Sequence, residues 1–369
     1  MALFQRQKER ERLRALVHEA FDRYLVIDPT ASGTLRVRLA VRPPTDEAEE
    51  QALDSRARAY HGSAPPIETF SEGVRAYAGL LAALLAIPAK VMLVDEPDAF
   101  LHPPLARRLG YHVAKLAAER DAQVFAATHS AEFLMGCVES GAYVEIVRLT
   151  YRSGVATARH LPSTELEELM RDPLPRSADV LAALFHDGAI VTESDIDRAF
   201  YQEINHRLIA ARDQPRPPLE AATGPVRNPQ SAVNVAEREG ADACMFLNAQ
   251  NKQTVHRIIG PLRRLGVPAA GIVDIDVLKE GGATLANFLK GASVPEVTRR
   301  TMETARSQLF AKFQAAGKDM KKDGIDALGV GDKNACRDFF DQLGAYGLFV
   351  VDVGEVERWL RKLNVPGKK

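Results

Sequence analysis

A run of four apolar residues that ends in two adjacent carboxylates constrains the fold of this chain more than any other feature; it lies within residues 91–103, VMLVDEPDAFLHP. A short apolar run of this kind is typical of a parallel strand covered on both faces. Carboxylates at its carboxyl end lie where open α/β sheets bind ligands. The segment therefore predicts an α/β sheet in which Asp95 holds a magnesium ion and Glu96 polarises a water. Taken alone, the two acids are equally consistent with a cap on the following turn.

Two flanking motifs favour the ligand-binding interpretation. The segment FSEGVR at 70–75 precedes an Ala/Leu-rich helix. Ser71 and Gly73 then lie at a helix N-terminus, where free N–H groups and the helix dipole favour a phosphate. A second apolar strand ends just before His129, which is placed to contact a γ-phosphate. A lone histidine after a strand is more often structural, but the order and spacing of the three motifs favour a nucleotide site.

These motifs resemble those of the ATP-binding-cassette (ABC) ATPases, in particular the branch in which the carboxylates continue into Leu101-His102-Pro103. The resemblance implies ATP as a ligand. The phosphate-binding pattern G-x-x-x-x-G-K-[ST] is absent from the chain. Glu72 also stands at a signature position where the family has glycine, and a carboxylate there repels a phosphate. We therefore expect a fragment of a longer protein, with ATP bound only by the full-length protein.

Three further apolar runs, at 189–191, 270–273 and 348–351, each end in paired acids. Acids concentrated at three strand ends make a poor solvated surface, because like charges repel each other. They make a good magnesium site, because hard cations take carboxylate oxygens and magnesium keeps several waters. The acids that follow these strands include Glu193, Asp197, Asp274, Asp276, Glu355 and Glu357.

A glutamate at one strand end, an aspartate four residues later and Asp-x-Asp at the next strand end resemble the TOPRIM domain of topoisomerases, primases and certain nucleases. ATPase motifs followed by TOPRIM motifs in one chain resemble the overcoming-lysogenization-defect (OLD) family. The Gly-Glu-Val-Glu stretch at 354–357 is similar to the class 2 nucleases of that family. The resemblance covers roughly residues 65–369. It implies a fold in which a partial ABC-type ATPase sheet is followed by a Rossmann-like parallel sheet.

The OLD resemblance also implies cofactors and residue roles. It implies two Mg²⁺ or Mn²⁺ ions, held by the six acids named above, with Glu355 and Glu357 completing the second metal site. Ser194 stands where the TOPRIM pattern has glycine, and serine still suits a strand-to-helix turn. The family uses a catalytic lysine late in the chain. Lys362, Lys368 and Lys369 fit that description, and Lys368 is the assigned candidate.

A basic stretch at 296–322 is the best candidate for DNA contact. It carries seven lysines and arginines against three acids, whereas the formal net charge of the chain is -1, so DNA contact must be local. Contacts to phosphate are independent of base sequence, and we expect backbone rather than base recognition. An exposed, solvated helix is an equally good interpretation. The candidate contacts are Arg299, Arg300, Arg306 and Lys312.

The sequence predicts two domains. Residues 1–165 are interpreted as the C-terminal portion of an ABC-type ATPase domain, and residues 175–369 as a TOPRIM nuclease domain with a helical insertion around 280–340. The polar, proline-rich segment 212–240 predicts a loop beside the metal site. The three cysteines are too scattered for a disulfide framework or a zinc site. No signal peptide or long apolar span is present, so a cytoplasmic protein without membrane association is expected.

Two functions of different classes follow from these motifs. In the first, the chain is a metal-dependent DNA endonuclease regulated by an ABC-type ATPase. In the second, it is a non-catalytic, ATP-gated DNA clamp or signalling ATPase of the recombination and chromosome-maintenance type. The acids at the strand ends favour the nuclease, because without a cation they would raise each other's pKa values and cost stability. A homodimer is expected, since cassette ATPases complete each other's sites in pairs.

Overall fold

The structure, a computed structural model, describes residues 2–31, 33–171, 180–212 and 240–363. These residues form two compact units. The first unit lies within Met1–Ile146 and Pro162–Glu167, and the second within Val147–Leu161 and Glu168–Lys369. The fold is mixed α/β and contains a parallel sheet. Lys368, Lys369 and nearly all of the predicted 212–240 loop lie outside the described residues.

The first unit combines helices with two small sheets. The strands are β1 (Tyr24–Asp28) and β2 (Arg36–Ala40), which pair antiparallel, and β3 (Val91–Asp95) and β4 (Gln123–Ala127), which pair in parallel. A 3-10 turn spans Ile67–Thr69, and the helix Ser163–Arg171 continues past the end of this unit. The other helices are Ala2–Gln5, Gln7–Phe21, Glu47–Gln51, Ser55–Ser63, Glu72–Ala86, Pro103–Glu119 and Ala131–Glu139.

Apolar residues at helical spacing build the core of the first unit. Tyr77, Leu81 and Leu85 line one face of the helix Glu72–Ala86 and are fully buried. They belong to one cluster with residues of the neighbouring helices, including Leu13 and Leu109. Each fully buried leucine of this kind contributes roughly 2 kcal/mol of transfer free energy. The cluster therefore holds β3 and β4 from one side.

The prediction that β3 is covered on both faces is wrong for the first unit as described. Alternate residues of β3 are exposed, and Val91 and Leu93 are 54% and 78% exposed. Phe125 of β4, on the parallel neighbour, is 59% exposed. Met92 and Val124 pack instead on the helical core. The physical reason is that β3 and β4 form a two-stranded sheet with a helical layer on one face.

Two helices of the first unit cross at glycines. A Cβ atom added to Gly110 would approach the carbonyl oxygen of Phe133 closer than the 3.0 Å that real Cβ atoms keep, and one added to Gly136 would do the same to the carbonyl oxygen of Arg107. Arg107 also forms two hydrogen bonds to the carboxylate of Glu139, one of them 2.8 Å from Nε to Oε2. The helices Pro103–Glu119 and Ala131–Glu139 therefore touch backbone to backbone.

The second unit is built on a four-stranded parallel sheet. Its strands are β7 (Gly188–Thr192), β8 (Cys244–Asn248), β9 (Ala269–Asp274) and β10 (Leu348–Val351), in the order β10-β9-β7-β8. The strands β5 (Ile146–Arg152) and β6 (Val155–Leu161) form a separate two-stranded sheet. The helices are Asp195–Arg212, Val255–Arg264, Gly282–Gly291, Glu296–Ala316, Met320–Asp323 and Val330–Gly344, and the 3-10 helices are Ala182–Phe185, Lys252–Thr254, Ile275–Lys279, Gly324–Ala327 and Val356–Leu363.

The order of the strands brings two predicted acid positions together. β7 and β9 are hydrogen-bonded neighbours, with Thr192 opposite Ile272. Glu193 follows β7 directly, and Asp274 is the last residue of β9. Because both strands run in the same direction, their carboxyl ends meet at one edge of the sheet. The edge strand β8 was not predicted, because its apolar run is not followed by the paired acids that marked the other strands of this sheet.

The strands β5 and β6 differ in placement from the predicted division of the chain. The first domain was expected over 1–165, whereas residues 147–161 belong to the second unit. Arg148 of β5 explains this placement. Its guanidinium donates hydrogen bonds to the backbone carbonyls of Leu184, His186 and Gly266, at 2.7 to 2.9 Å. These bonds satisfy three backbone acceptors of the second unit with one side chain.

Candidate metal centre

Three predicted acids meet at the carboxyl edge of the parallel sheet. Glu193, Asp274 and Asp276 each offer a carboxylate oxygen, and these oxygens all lie within 4.8 Å of one another. Glu193 comes from the end of β7, Asp274 from the end of β9, and Asp276 from the 3-10 helix that follows β9. The three side chains therefore reach one point from two adjacent strand ends.

Backbone and hydroxyl groups fix the turn that follows β7. The Asp274 backbone N–H donates a 2.8 Å hydrogen bond to Glu193 Oε1. Thr192 is fully buried, and its hydroxyl lies 3.1 Å from the Ser194 carbonyl oxygen. The Ser194 hydroxyl donates to Asp197 Oδ2 at 2.7 Å and accepts from the Asp197 backbone N–H. Serine at this position thus supports the strand-to-helix turn, as the sequence predicted.

Asp276 shows that this group of acids fits a cation. The residue is only 6% exposed, yet its buried Oδ1 atom has no hydrogen-bond partner among the described residues. A buried carboxylate oxygen without a donor costs free energy, so such atoms are normally satisfied by a bond or by an ion. Three carboxylates supply the hard oxygen ligands that Mg²⁺ and Mn²⁺ take. The residues present therefore suit a divalent cation.

Two lysines that sequence reasoning did not assign to the site flank the acids. Lys252 Nζ lies 2.7 Å from Asp276 Oδ2 and 3.7 Å from Glu280 Oε1. Lys321 Nζ lies 3.2 Å from Asp274 Oδ2 and 3.4 Å from Asp276 Oδ2. Lys321 was visible only as part of the basic stretch 296–322, and Lys252 carried no signal at all. Both lysines come from segments distant in sequence from the acids they contact.

Burial and mutual repulsion change the protonation of the acids. Burial, followed by the charge of Asp274, raises the pKa of Glu193 to about 7. Burial also raises the pKa of Asp274 to about 6, although Lys321 acts in the opposite direction. Burial disfavours the charged form of Lys321, but the carboxylates of Asp276 and Asp274 outweigh it and raise the pKa of that lysine. Raised pKa values on two neighbouring carboxylates are typical of a site that binds a cation.

With a chelator present, the stability of the second unit is expected to fall as the pH rises through about 7. Glu193 and Asp274 have folded-state pKa values above their ordinary values of 4.5 and 3.8. The folded state therefore keeps protons that the unfolded state has released, and this contribution, complete below about pH 4, is lost as the pH rises through the folded values. The melting temperature of Glu193→Gln should be higher than that of the unaltered protein above about pH 7 and equal to it near pH 4. A lower melting temperature for Glu193→Gln at the higher pH would contradict this prediction.

The remaining predicted acids lie outside the three-residue group. Asp197 is close enough for its charge to raise the pKa of Asp274, but its carboxylate is bound by Ser194. Glu355 and Glu357 follow β10 and are not members of the group. The loop that carries Glu355 touches the centre through its backbone, because the Ile275 N–H donates to the Gly354 carbonyl oxygen at 3.1 Å. The predicted Lys368 is outside the described residues, and nothing is described of the Lys362 side chain.

Three of the five predicted nucleotide residues, Asp95, Glu96 and His129, lie at the carboxyl ends of β3 and β4. The imidazole Nδ1 of His129 lies 2.9 Å from Glu96 Oε1, and the Glu96 N–H donates to the Ala127 carbonyl oxygen at 2.8 Å. The hydrogen bond to Glu96, reinforced by its charge, raises the pKa of His129. Asp95 is exposed at the end of β3. This edge therefore assembles an acid pair and a histidine within one small site.

Gly73 has a packing role that the sequence did not reveal. It is buried in the first turn of the helix Glu72–Ala86, and a Cβ there would lie 2.6 Å from the Phe100 carbonyl oxygen. Glycine is needed because the turn that carries the carboxylates packs directly on this helix. Ser71 is exposed at the N-cap and makes no capping hydrogen bond with its side chain. Glu72 pairs with Arg75 at 3.0 Å.

The predicted DNA contacts lie on or beside the helix Glu296–Ala316, and several already have partners. Arg306 donates a 3.2 Å hydrogen bond to the Leu278 carbonyl oxygen, which supports the turn that carries Asp276. Arg300 pairs with Glu296 at 3.2 Å and is 81% exposed, and Lys312 pairs with Asp332. Arg299 is partly buried. Arg306 is therefore better explained as a support of the Asp-x-Asp turn than as an exposed phosphate ligand.

Within the described residues, the two buried cysteines are poor candidates for a nucleophile, and the helices are poor candidates for a membrane span. Cys137, Cys244 and Cys336 are free, and burial raises the pKa of Cys137 and of Cys336 to about 12. Buried thiols with raised pKa values are poor nucleophiles. None of the described helices is long and apolar enough to cross a membrane.

Comparisons with known proteins identify the first unit in part. Residues 61–135 match the model of a family described as an AAA domain, a putative AbiEii toxin of a type IV toxin–antitoxin system. This range includes the signature helix, the carboxylate pair and His129. The chain therefore contains an ATPase-type segment. A search of curated proteins gives no match.

Solved structures of SMC-type ATPase heads are similar to part of the chain. One, from work on ATP-driven dimerization and DNA-stimulated activation of SMC ATPases, is 18% identical over 45% of this chain and 95% of its own, with a TM-score of 0.28. A second, an Smc head bound to the winged-helix domain of ScpA, is 20% identical with a TM-score of 0.31, and this chain covers 45% of it. A third, with an extended coiled coil and a ScpA domain derived from Pyrococcus furiosus, is 18% identical over 45% of this chain, with a TM-score of 0.31 and 37% of its own length covered.

Proposed function

We propose that this chain is a metal-dependent DNA nuclease of the TOPRIM type, with its catalytic centre in the second unit and an ATPase-type segment in the first. The observation that carries the proposal is the buried, unpartnered Oδ1 atom of Asp276 beside the carboxylates of Glu193 and Asp274. Acids placed in this way at the carboxyl ends of parallel strands are arranged to hold a cation that faces a substrate.

The side chains of the centre have separable roles in this proposal. Glu193, Asp274 and Asp276 hold the ion, and the Asp274 N–H orients the Glu193 carboxylate. Lys252 neutralises part of the charge on Asp276. When bound, a divalent cation polarises a phosphodiester and lowers the pKa of a coordinated water. Asp197 lies at the margin and adds negative charge near Asp274.

The resemblance to OLD class 2 nucleases supports the proposal beyond these residues. A four-stranded parallel sheet with acids after β7 and β9 is the arrangement that the TOPRIM pattern implies. The two-ion arrangement, the roles of Glu355 and Glu357, and the assignment of Lys368 stay predictions of that resemblance. DNA binding through Arg299 and Arg300, pairing of two copies of the chain, and residence in the cytoplasm are likewise proposals.

Cleavage of supercoiled plasmid tests the nuclease proposal directly. The chain is incubated with Mn²⁺ or Mg²⁺ and without nucleotide, and nicked or linear product is expected. Product formation should stop when a chelator is added and return when the ion is restored. Ca²⁺ should support DNA binding more than cutting, because it tolerates looser ligand geometry. No cleavage across these divalent ions would favour the second candidate.

That second candidate is the non-catalytic, ATP-gated DNA clamp or signalling ATPase. The observation in its favour is that the family match, at residues 61–135, lies wholly in the first unit. In such a protein Lys252 and Lys321 would be permanent partners of the acids, and the second unit would only bind DNA. Metal-dependent cleavage separates the two candidates, because a non-catalytic clamp would not cleave DNA.

The chain alone is expected neither to bind ATP tightly nor to hydrolyse it. Asp95, Glu96 and His129 lie at one strand edge, but no G-x-x-x-x-G-K-[ST] pattern occurs in the sequence, so the β- and γ-phosphates lack their main ligands. Calorimetric titration with ATP and Mg²⁺ measures the affinity, and a phosphate-release assay measures turnover. Dissociation constants in the micromolar range would contradict the prediction.

A further inference from the structure

We propose that a pocket in the first unit, on one side of the helix Pro103–Glu119, binds a phosphate monoester. Two cations, Arg108 and Lys115, stand there beside the recessed imidazole of His112. The pocket shares no residue with the candidate metal centre or with the predicted nucleotide residues. The proposal is therefore independent of the nuclease function proposed above.

The pocket has the size and the lining of a site for a small polar ligand. It is an open cavity of about 590 Å³ between the helix Pro103–Glu119 and Glu19 of the helix Gln7–Phe21. Apart from Pro104, every residue that lines it is charged or carries a polar ring. A volume of this order is usual for small-molecule sites, and it leaves room for a substituent beside a phosphate group.

The donors of the pocket lie on one face of a helix that the core holds in place. Arg108 and His112 are four residues apart and Lys115 follows three residues later, so their side chains are neighbours on the helix surface. Leu109 and Leu116 of the same helix are buried in the core cluster. The donors are thus presented by a rigid element, which lowers the cost of ordering them around a ligand.

His112 is the residue that points to a ligand. It is 8% exposed, and its buried Nε2 atom has no hydrogen-bond partner among the described residues. Glu19 Oε2 lies 3.7 Å away, which is too far for a hydrogen bond. Burial lowers the pKa of His112, although the charge of Glu19 acts in the opposite direction. A neutral imidazole is able to donate through Nε2, and a buried polar atom of this kind is normally satisfied by a bound group.

Two guanidinium groups near the imidazole are already held by carboxylates. Arg107 donates hydrogen bonds to Glu139 and Glu132, at 2.8 and 3.4 Å. The Arg12 guanidinium, which adds positive charge near the imidazole, is paired with Glu119. These pairs balance their own charge, so a ligand must be held by other cations.

Lys115, Arg108 and Glu19 are the charged groups able to respond to a ligand. Lys115 Nζ has no carboxylate partner among the described residues and lies 3.4 Å from the Tyr111 hydroxyl. Arg108 donates to the backbone carbonyl of Glu19, but its Nε is 3.7 Å from Glu19 Oε1. The Glu19 carboxylate is 55% exposed and lies near two donors without a hydrogen bond to either. A bound phosphate displaces this carboxylate towards solvent and takes up both donors together with Lys115.

The depth of the imidazole selects a terminal phosphate. A phosphate inside a nucleic-acid strand carries a sugar on each side and a single charge, so its bulk keeps it from the recessed His112 ring. A monoester carries one substituent and about 1.5 to 2 negative charges near pH 7, and it enters end-on. Charge-assisted hydrogen bonds from Arg108 and Lys115 favour the more highly charged group. The monoester belongs either to a small molecule or to the 5′-phosphate end of a DNA strand.

Calorimetric titrations of the whole chain with matched ligands test the pocket. A chelator is present throughout, so that no metal ion at the carboxylate centre contributes to binding. Ribose 5-phosphate is compared with ribose, and a short single-stranded oligonucleotide with a 5′-phosphate is compared with the same strand ending in a 5′-hydroxyl. We expect ribose 5-phosphate to bind at least about tenfold more tightly than ribose. A tenfold gain from the 5′-phosphate of the oligonucleotide assigns the ligand as a DNA end, and no gain there assigns it as a small phosphate monoester.

Variants place the binding in this pocket. Lys115→Met should weaken the binding of ribose 5-phosphate about tenfold, and Glu19→Gln should strengthen it about fivefold, because the competing carboxylate loses its charge. Lys8→Met is the matched control, since Lys8 is exposed on the helix that carries Glu19, and its affinity should stay within about twofold. A side chain that only supported the fold would not produce opposite changes in Lys115→Met and Glu19→Gln.

The imidazole itself gives a second readout. The ring-nitrogen resonances of His112, assigned by their loss in His112→Gln, should shift when ribose 5-phosphate or inorganic phosphate is added and stay in place when ribose is added. Equal affinities for ribose 5-phosphate and ribose would overturn the proposal. So would an affinity that is unchanged in Lys115→Met or no higher in Glu19→Gln, or His112 resonances that do not respond to phosphate.

Discussion

Asp274→Asn is expected to lower metal-dependent cleavage of supercoiled plasmid by about a thousandfold or more, while the protein stays folded. Asp274 ends β9, contributes an oxygen to the three-acid group, and holds Glu193 in place through its backbone N–H. Asparagine keeps the size and the backbone bond but removes the charge that binds the ion. The altered side chain still offers an oxygen to Lys321, so the loss of activity should come from metal binding and not from disorder.

The comparison needs a variant with the same chemical change elsewhere. Asp195→Asn provides it, because Asp195 is exposed at the start of the helix Asp195–Arg212 and forms a surface ion pair with Arg198 at 2.8 Å. Its cleavage rate should stay within about twofold of the unaltered protein. Glu193→Gln should reproduce the loss seen in Asp274→Asn. Melting curves recorded with a chelator should show Asp274→Asn to be at least as stable as the unaltered protein. Equal cleavage by Asp274→Asn and the unaltered protein would remove Asp274 from the site.

Gly136→Ala is expected to destabilise the first unit by about 3 kcal/mol, which corresponds to a fall of roughly 10 °C in its melting temperature. The added methyl group would meet the Arg107 carbonyl oxygen across the helix crossing. A backbone atom cannot rotate away as a side chain does, so the helices Pro103–Glu119 and Ala131–Glu139 would have to separate. Their separation would open the buried cluster that includes Leu109 and Phe133.

Gly79→Ala is the control for this prediction and should have the opposite sign. Gly79 lies on the exposed side of the helix Glu72–Ala86, and a Cβ there meets nothing within 4 Å. Alanine is favoured over glycine inside a helix by about 1 kcal/mol, so Gly79→Ala should stabilise the unit slightly. Calorimetric scans of the two variants, with separate transitions assigned to the two units, measure both effects. If Gly136→Ala melted at the same temperature as the unaltered protein, the helix crossing would be shown to accommodate the methyl group without loss of stability.

The sequence predicted the strands and the acids that follow them because both are local signals. A short apolar run and the residues just after it occupy neighbouring positions in space whatever the rest of the chain does. The strands β3, β4, β7, β9 and β10 were found in this way, and so were Glu193, Asp274 and Asp276. Sequence spacing did not distinguish the acids that meet in the three-residue group from those that do not. Asp197, Glu355 and Glu357 also follow apolar strands, and they lie outside the group.

The tertiary structure alone decided what surrounds those acids. Lys252 and Lys321 reach Asp276 from segments that are far apart in sequence, so no local pattern links them. The sequence predicts Gly73 as part of a phosphate site; its close contact with Phe100 depends on how two elements cross, which no local pattern reveals. The sequence by itself thus determined which residues carry negative charge at the strand ends. Only the packing of distant segments decided which positive charges face them, because Coulomb interactions depend on distance in space and not on separation along the chain.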